Sequence, residues 1–201
     1  MKGNPAIFVL LFVVVITTLI ILWIMGMYNA LAKTDEQVNA RWAQVEAVLQ
    51  RRLDLIPQLV ETVKGYATHE RQTLVAVTEA RAKTLGILEA TGGEAPKSST
   101  TLENLNQAQQ DLSGAMKKLF ALIEQYPDIK ASGNFMALQD QLEGTENRIS
   151  VERQRYNEAV RAYNAKTRVF PSNVVASWFG YDSRGYFESK MGAEEPVPVK
   201  F

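Results

Sequence analysis

The chain has 201 residues, and its 22 Lys+Arg are balanced by 22 Asp+Glu, so net charge argues against nucleic acid or a strongly acidic partner. It has no cysteine, which excludes disulfides, thiolate metal sites and a cysteine nucleophile together. A single histidine, His69, leaves little of the usual metal and acid/base repertoire.

The first element is "AIFVLLFVVVITTLIILWIM", Ala6–Met25, which carries no charge and only Thr17 and Thr18 as polar residues. As a helix it spans ~30 Å, the thickness of a bilayer core. Two readings compete, a retained anchor and a cleaved signal peptide. Lys2 and the small-x-small run Ala30-Leu31-Ala32 suit the second, but the apolar run is too long for an ordinary signal h-region, which favours the anchor. Residues 1–27 are therefore expected to be a short tail and a single-pass membrane anchor. The positive-inside count is close to a tie between Lys2 with the amino terminus before the span and Lys33 and Arg41 after it; the very short basic tail tips the expectation toward a domain outside the cytoplasm.

From Thr34 the apolar residues recur at helical spacing: Val38, Trp42, Val45, Leu49, Ile56, Leu59 and Val63 share one seam, broken only by Arg52. Pro57 removes the amide that would bond the carbonyl of residue 53, so a bend is expected there. The helix is expected to end at Lys64, with Gly65 in a left-handed C′ position. Thr68 then caps a second helix carrying Leu74, Val77, Arg81, Leu85 and Leu88, with His69 as an exposed turn residue. "TGGEAPKSST", residues 91–100, reads as a loop with little reason to be ordered.

Thr101 is expected to cap a third helix with the heptad Leu102, Leu105, Gln109, Leu112, Met116, Leu119, Ile123 and Tyr126, stopped at Pro127. A fourth runs from about Asn134 to Phe170, where Phe135, Leu142, Ile149, Tyr156, Tyr163 and Phe170 recur every seven residues. Four helices on short connections predict an all-α protein: a transmembrane helix followed by an antiparallel up-and-down four-helix bundle over 28–181, with 182–201 as a tail. Trp42, Trp178, Phe179, Tyr181, Tyr186 and Phe187 are the candidate contacts with the membrane interface or a partner; the alternative is that the tail aromatics cover the open end of the bundle.

In such a bundle, Arg52 lies level with "EGTENRISVERQRYN", residues 143–157. A seam arginine needs a partner, because an unpaired buried charge is costly. The candidate polar layer comprises Arg51, Arg52, Asp54, Glu146, Asn147, Arg148 and Arg153. Its main reading is a network that sets helix register. The alternatives are a site for an ion or small ligand and, last, catalysis by paired carboxylates, for which no nucleophile is at hand. Neither a cofactor nor a metal is expected.

The stretches "YNALAKTDEQVNARWAQVEAVLQRRLDLIPQLVETVKGYATHE", "TEARAK", "LIEQYPDIKASGNFMALQDQLEGTENRISVERQRYNEAVRAYN" and "FPSNVVASWFGY" occur in the order found in the LemA family of bacterial membrane-anchored helical proteins, which this sequence resembles. Gln58 and Trp178 depart from the pattern. The resemblance implies one transmembrane helix and a four-helix domain. Arg51, Arg52, Asp54, Pro57, Tyr126, Pro127, Glu146, Asn147, Arg148, Tyr156 and Asn157 match as shared architecture, and no enzymatic reaction comes with them. The resemblance further implies a location in the bacterial inner membrane and a link to other membrane or envelope proteins. With the bilayer as partner of Ala6–Met25 and nucleic acid excluded by the interspersed charges, the leading expectation is a non-enzymatic scaffold or adaptor that can also assemble with further copies of itself. A sensor for an ion or small ligand is the alternative function.

Overall fold

The computed structural model describes residues 5–65 and 70–188. They are all-α, with six helices and no strand among the described residues: α1 Pro5–Lys64, α2 Arg71–Glu89, α3 Ser99–Ile123, α4 Pro127–Lys130, α5 Gly133–Arg168 and α6 Ser172–Phe179. The expected cap Thr68 and turn residue His69 lie outside the described residues, as does the tail beyond Glu188.

α1 runs unbroken for 60 residues from the apolar segment into the packed body. Its N-terminal part is long and apolar enough to cross a membrane, and its side chains there are exposed. Leu31 is the first fully covered apolar residue, and Val38, Trp42, Val45, Leu49, Leu53, Ile56, Leu59 and Val63 follow as the buried stripe.

Helical hydrogen bonding continues through Pro57. Proline has no N–H, so the carbonyl of Leu53 loses its partner four residues on. Arg81 of α2 supplies the missing donor: its Nε lies 2.7 Å from the Leu53 oxygen. The helix ends at Lys64, but Gly65 is not in the left-handed region.

Neighbouring helices run antiparallel. α1 meets α5 through Ala30–Lys166, Trp42–Tyr156 and Arg52–Glu146 in turn. α2 meets α3 through Thr84–Ala108 and Lys83–Asp111. Between them lies the core, in which Trp42, Tyr156 and Tyr163 are the largest fully covered side chains.

Three further expectations change. Helix α3 begins earlier than Thr101: Ser98 is its cap, its Oγ accepting the Thr100 N–H at 3.2 Å. The 91–100 loop is pinned, because Ala95 is buried, its N–H donating to Asn39 Oδ1 at 3.4 Å and its carbonyl accepting from Arg184 at 2.8 Å. Gly92 and Gly93 take the positive φ values, 62° and 80°, that turn the chain there.

The largest change concerns the C-terminal boundary at 181. Residues 182–188 form an extended strap packed onto the helices. Asn164 Nδ2 donates to the Arg184 carbonyl and its Oδ1 accepts the Arg184 N–H, both at 2.9 Å. Asn157 treats Phe187 identically, at 2.8 and 2.9 Å. Two helical turns rise ~10.5 Å, and three residues of extended chain cover ~10 Å. Asparagines seven apart on α5 thus match backbone groups three apart on the strap. Arg184 then ties the strap to α1, with Nε and Nη2 donating to Asp35 Oδ1 at 3.0 and 2.7 Å.

Candidate functional site

Three of the seven expected layer residues come together. Arg52 is almost covered, and its Nη1 lies 3.1 Å from Glu146 Oε2 of α5. The same Nη1 donates to Gln109 Oε1 at 2.9 Å, while Nη2 donates to Ser113 Oγ at 2.8 Å. The guanidinium therefore joins α1, α3 and α5 at one level. Burial pulls its pKa below the usual arginine value, and the neighbouring Glu146 charge opposes that.

Arg153 lies one heptad beyond Glu146 on the same stripe of α5. Its Nη2 donates to Asn106 Oδ1 of α3 at 2.8 Å, and its guanidinium lies 4.5 Å from the centroid of the Phe187 ring. Burial lowers its pKa as well, with Glu146 opposing and Arg52 adding to the shift. Arg153 Nε and Gln109 Nε2 are buried without a hydrogen-bond acceptor.

The other four residues do not join. Arg51, Asp54, Asn147 and Arg148 are exposed, since each successive helical residue turns ~100° away from the seam. Asp54 accepts a bond from Gln50 at 2.8 Å on its own helix face. Gln109 stood in the sequence as a polar member of an apolar heptad, which was the legible signal; Ser113, one turn on, gave none.

Beside the layer lies an open groove of about 670 Å³, lined by Glu146, Ser150, Arg153, Asn157, Arg161 and Phe187, among others. The Glu146 side chain is 50 % exposed, so it faces both the arginine and solvent. Among the described residues, no three His, Cys, Asp or Glu side chains gather closely enough to hold a metal ion.

The aromatic residues divide. Trp42 and Phe187 are core, which corrects their place among the candidate membrane or partner contacts: Phe187 stacks on Trp42 at 6.1 Å and meets Tyr156 edge-on at 5.4 Å. Phe187 reaches the core because the strap carries it there. Tyr181 is half-buried, and Trp178, Phe179 and Tyr186 are exposed.

Comparison with known proteins gives one consistent family. Magnetosome protein MamQ 2 of Paramagnetospirillum magneticum is 26% identical over 188 residues, covering 85% of this chain and 68% of the relative. Magnetosome protein MamQ of Magnetospirillum gryphiswaldense is 24% identical over 210 residues, covering 96% and 74%. Protein LemA of Metamycoplasma hominis is 25% identical over 169 residues, covering 84% and 72%. The LemA family model matches residues 41–201, which take in the Arg52 layer, the asparagine pair and the strap. The chain belongs to the LemA family.

Proposed function

We propose that this protein is a non-enzymatic, membrane-tethered scaffold or adaptor for envelope proteins, built as an antiparallel up-and-down four-helix bundle on a single-pass anchor. The observation that carries this reading is the unbroken α1, which takes an exposed apolar span directly into a packed polar body. A continuous helix transmits position and force where a loop would let the domain swing. The core chemistry supports the same reading: the Arg52 guanidinium is held by Glu146, Gln109 and Ser113 across three helices. Relatives named as magnetosome proteins are consistent with a part in a larger assembly.

The test is crosslinking in cells through the exposed helix faces, followed by purification and identification of every joined chain. We expect the protein joined to further copies of itself or, in fixed ratio, to a second membrane protein. Recovery of monomer with internal crosslinks alone rejects a scaffold. The inner membrane is the proposed location, with the bundle outside the cytoplasm. Ser98→Cys, in a chain with no native cysteine, should accept a membrane-impermeant maleimide before the inner membrane is lysed.

The groove beside Glu146 and Arg153 supports a second reading, a sensor for an ion or small anion. Here Ca²⁺ or inorganic phosphate would raise the melting temperature of the full chain, and Glu146→Gln or Arg153→Gln would remove the rise while leaving the protein folded. An unchanged melting temperature with both probes disposes of this alternative.

A further inference from the structure

α6 buries very little of itself. Only Val175 and Ala176 are covered, against Leu31 of α1 and beside Ile24 and Met27. Its remaining large apolar side chains face outward: Val174 and Trp178, one turn apart, and Phe179, while Val169 and Phe170 are exposed in the turn just before the helix. Phe170 is 78 % exposed and Trp178 68 %. These values are extreme for large apolar groups in a short segment of a water-soluble body.

The position of the helix gives the exposure its meaning. Ile24 belongs to the last turn of the apolar run Ala6–Met25, and Leu31 lies ~10.5 Å further along α1. α6 is therefore held level with the end of the hydrocarbon core and the headgroup layer beyond it. Phe179 packs on Tyr28 of α1, with ring centroids 4.9 Å apart, so the patch is continuous with the span. α6 itself, "SNVVASWF", carries no charge. Exposed Arg168 precedes the segment and exposed Lys33 lies two residues beyond Leu31 on α1, Lys166 Nζ reaches the Ala30 carbonyl at 3.4 Å, and Asp182 is, among the described residues, the one exposed carboxylate close after the helix. An uncharged amphipathic helix bearing outward aromatic rings, edged with basic side chains, has the chemistry of a lipid interface with anionic headgroups.

We propose that α6, with Val169 and Phe170, lies in the headgroup–acyl boundary of the leaflet from which α1 emerges. It is a second lipid contact that fixes the tilt and rotation of the domain. α1 alone would leave the body free to rotate about the helix axis. A second point of insertion off that axis removes this freedom and presents one chosen face to partners. The proposal rests on the reading of Ala6–Met25 as a bilayer span.

The absence of native cysteine makes a depth measurement direct. Spin labels are placed singly in the full chain at Phe170→Cys, Val174→Cys and Trp178→Cys, whose side chains are exposed and make no core contact. Leu11→Cys reports the span and Ser98→Cys the aqueous body. The protein is reconstituted in phosphatidylcholine vesicles containing phosphatidylglycerol. Collision with oxygen, which partitions into lipid, is compared with collision with a water-soluble nickel chelate.

We expect the labels at 170, 174 and 178 to favour oxygen several-fold over the Ser98→Cys label, at depths shallower than Leu11→Cys. If those three labels behave as Ser98→Cys does while Leu11→Cys lies in lipid, α6 is not interfacial and the span reading stands alone. Shielding of the three from both reagents means that a protein, a second copy or another chain, covers the face, which overturns the lipid contact. A Leu11→Cys label open to the chelate overturns the span and this proposal together.

Discussion

At the scale of single residues, Arg52 owes its place to solvation arithmetic. Removing a guanidinium from water costs several kcal/mol unless hydrogen bonds and a countercharge replace the solvent, and Glu146, Gln109 and Ser113 supply them. Arg52→Ala should lower stability by roughly 3 kcal/mol, since it strands Gln109 and empties a packed position. Glu146→Gln keeps a hydrogen-bond acceptor on a half-exposed side chain and should cost about 1 kcal/mol. Arg52→Met with Gln109→Leu should recover most of the loss, because two apolar side chains replace a buried polar pair. Urea unfolding of the full chain in detergent reads all three; a double variant as weak as Arg52→Ala would show that the layer supplies net stability rather than register.

Tyr156 gives the pH dependence. Burial pushes its phenol from 10.0 up to about 12, with the Arg184 charge pulling the other way. The folded state holds this proton more tightly than the unfolded chain does, so its contribution is complete below about pH 10 and is lost as pH rises toward 12. The share is on the order of 2–3 kcal/mol. Tyr156→Phe removes it at the expense of a 3.5 Å contact to the Gly185 carbonyl. The urea midpoint of the variant should therefore fall less steeply than that of the parent between about pH 9 and about pH 12; parallel curves would assign the alkaline loss elsewhere.

At the scale of elements, Pro57 and Arg81 form one device. The proline opens a carbonyl in α1, and α2 closes it with a side chain, so a local defect becomes a cross-link between helices. Arg81→Met should cost about 1–2 kcal/mol in the parent, where it leaves the Leu53 carbonyl without a donor. In a Pro57→Ala background residue 57 regains its N–H and can bond that carbonyl, so the same substitution should cost less than half as much. A double-mutant cycle measures the difference directly; equal costs in both backgrounds would mean that Arg81 matters for packing or charge alone.

At the scale of the whole molecule, the strap makes the C-terminal segment part of the core. Phe187 brings a ring to Trp42 and Tyr156, and Arg184 joins the strap to α1 and to the 91–100 loop. Phe187→Ala should destabilise the entire domain by roughly 3–5 kcal/mol, as for other buried phenylalanines. Exchange of the Arg184 and Phe187 amides with deuterium should rise with it, since both bond to asparagine side chains of α5. A loss confined to the strap amides, with the urea midpoint unchanged, would make the strap a surface appendage.

The sequence alone carried the helical class, the apolar span and the pairing of Arg52 with Glu146, because each follows from periodicity along a helix and from the cost of burying charge. Seven-residue spacing likewise put Tyr156 and Tyr163 on the buried face of α5, and Gln109 on that of α3. Tertiary structure alone decided that Phe187 is core rather than a contact surface, that Arg81 completes the proline break, and that residues 182–188 close the body. Those outcomes depend on groups 19 to 149 residues apart along the chain. An extended strap has no periodicity of its own, and its register comes from two asparagine amides whose partners are backbone atoms. Backbone donors and acceptors are the same at every residue, so nothing in the side-chain pattern could mark which ones those amides would take.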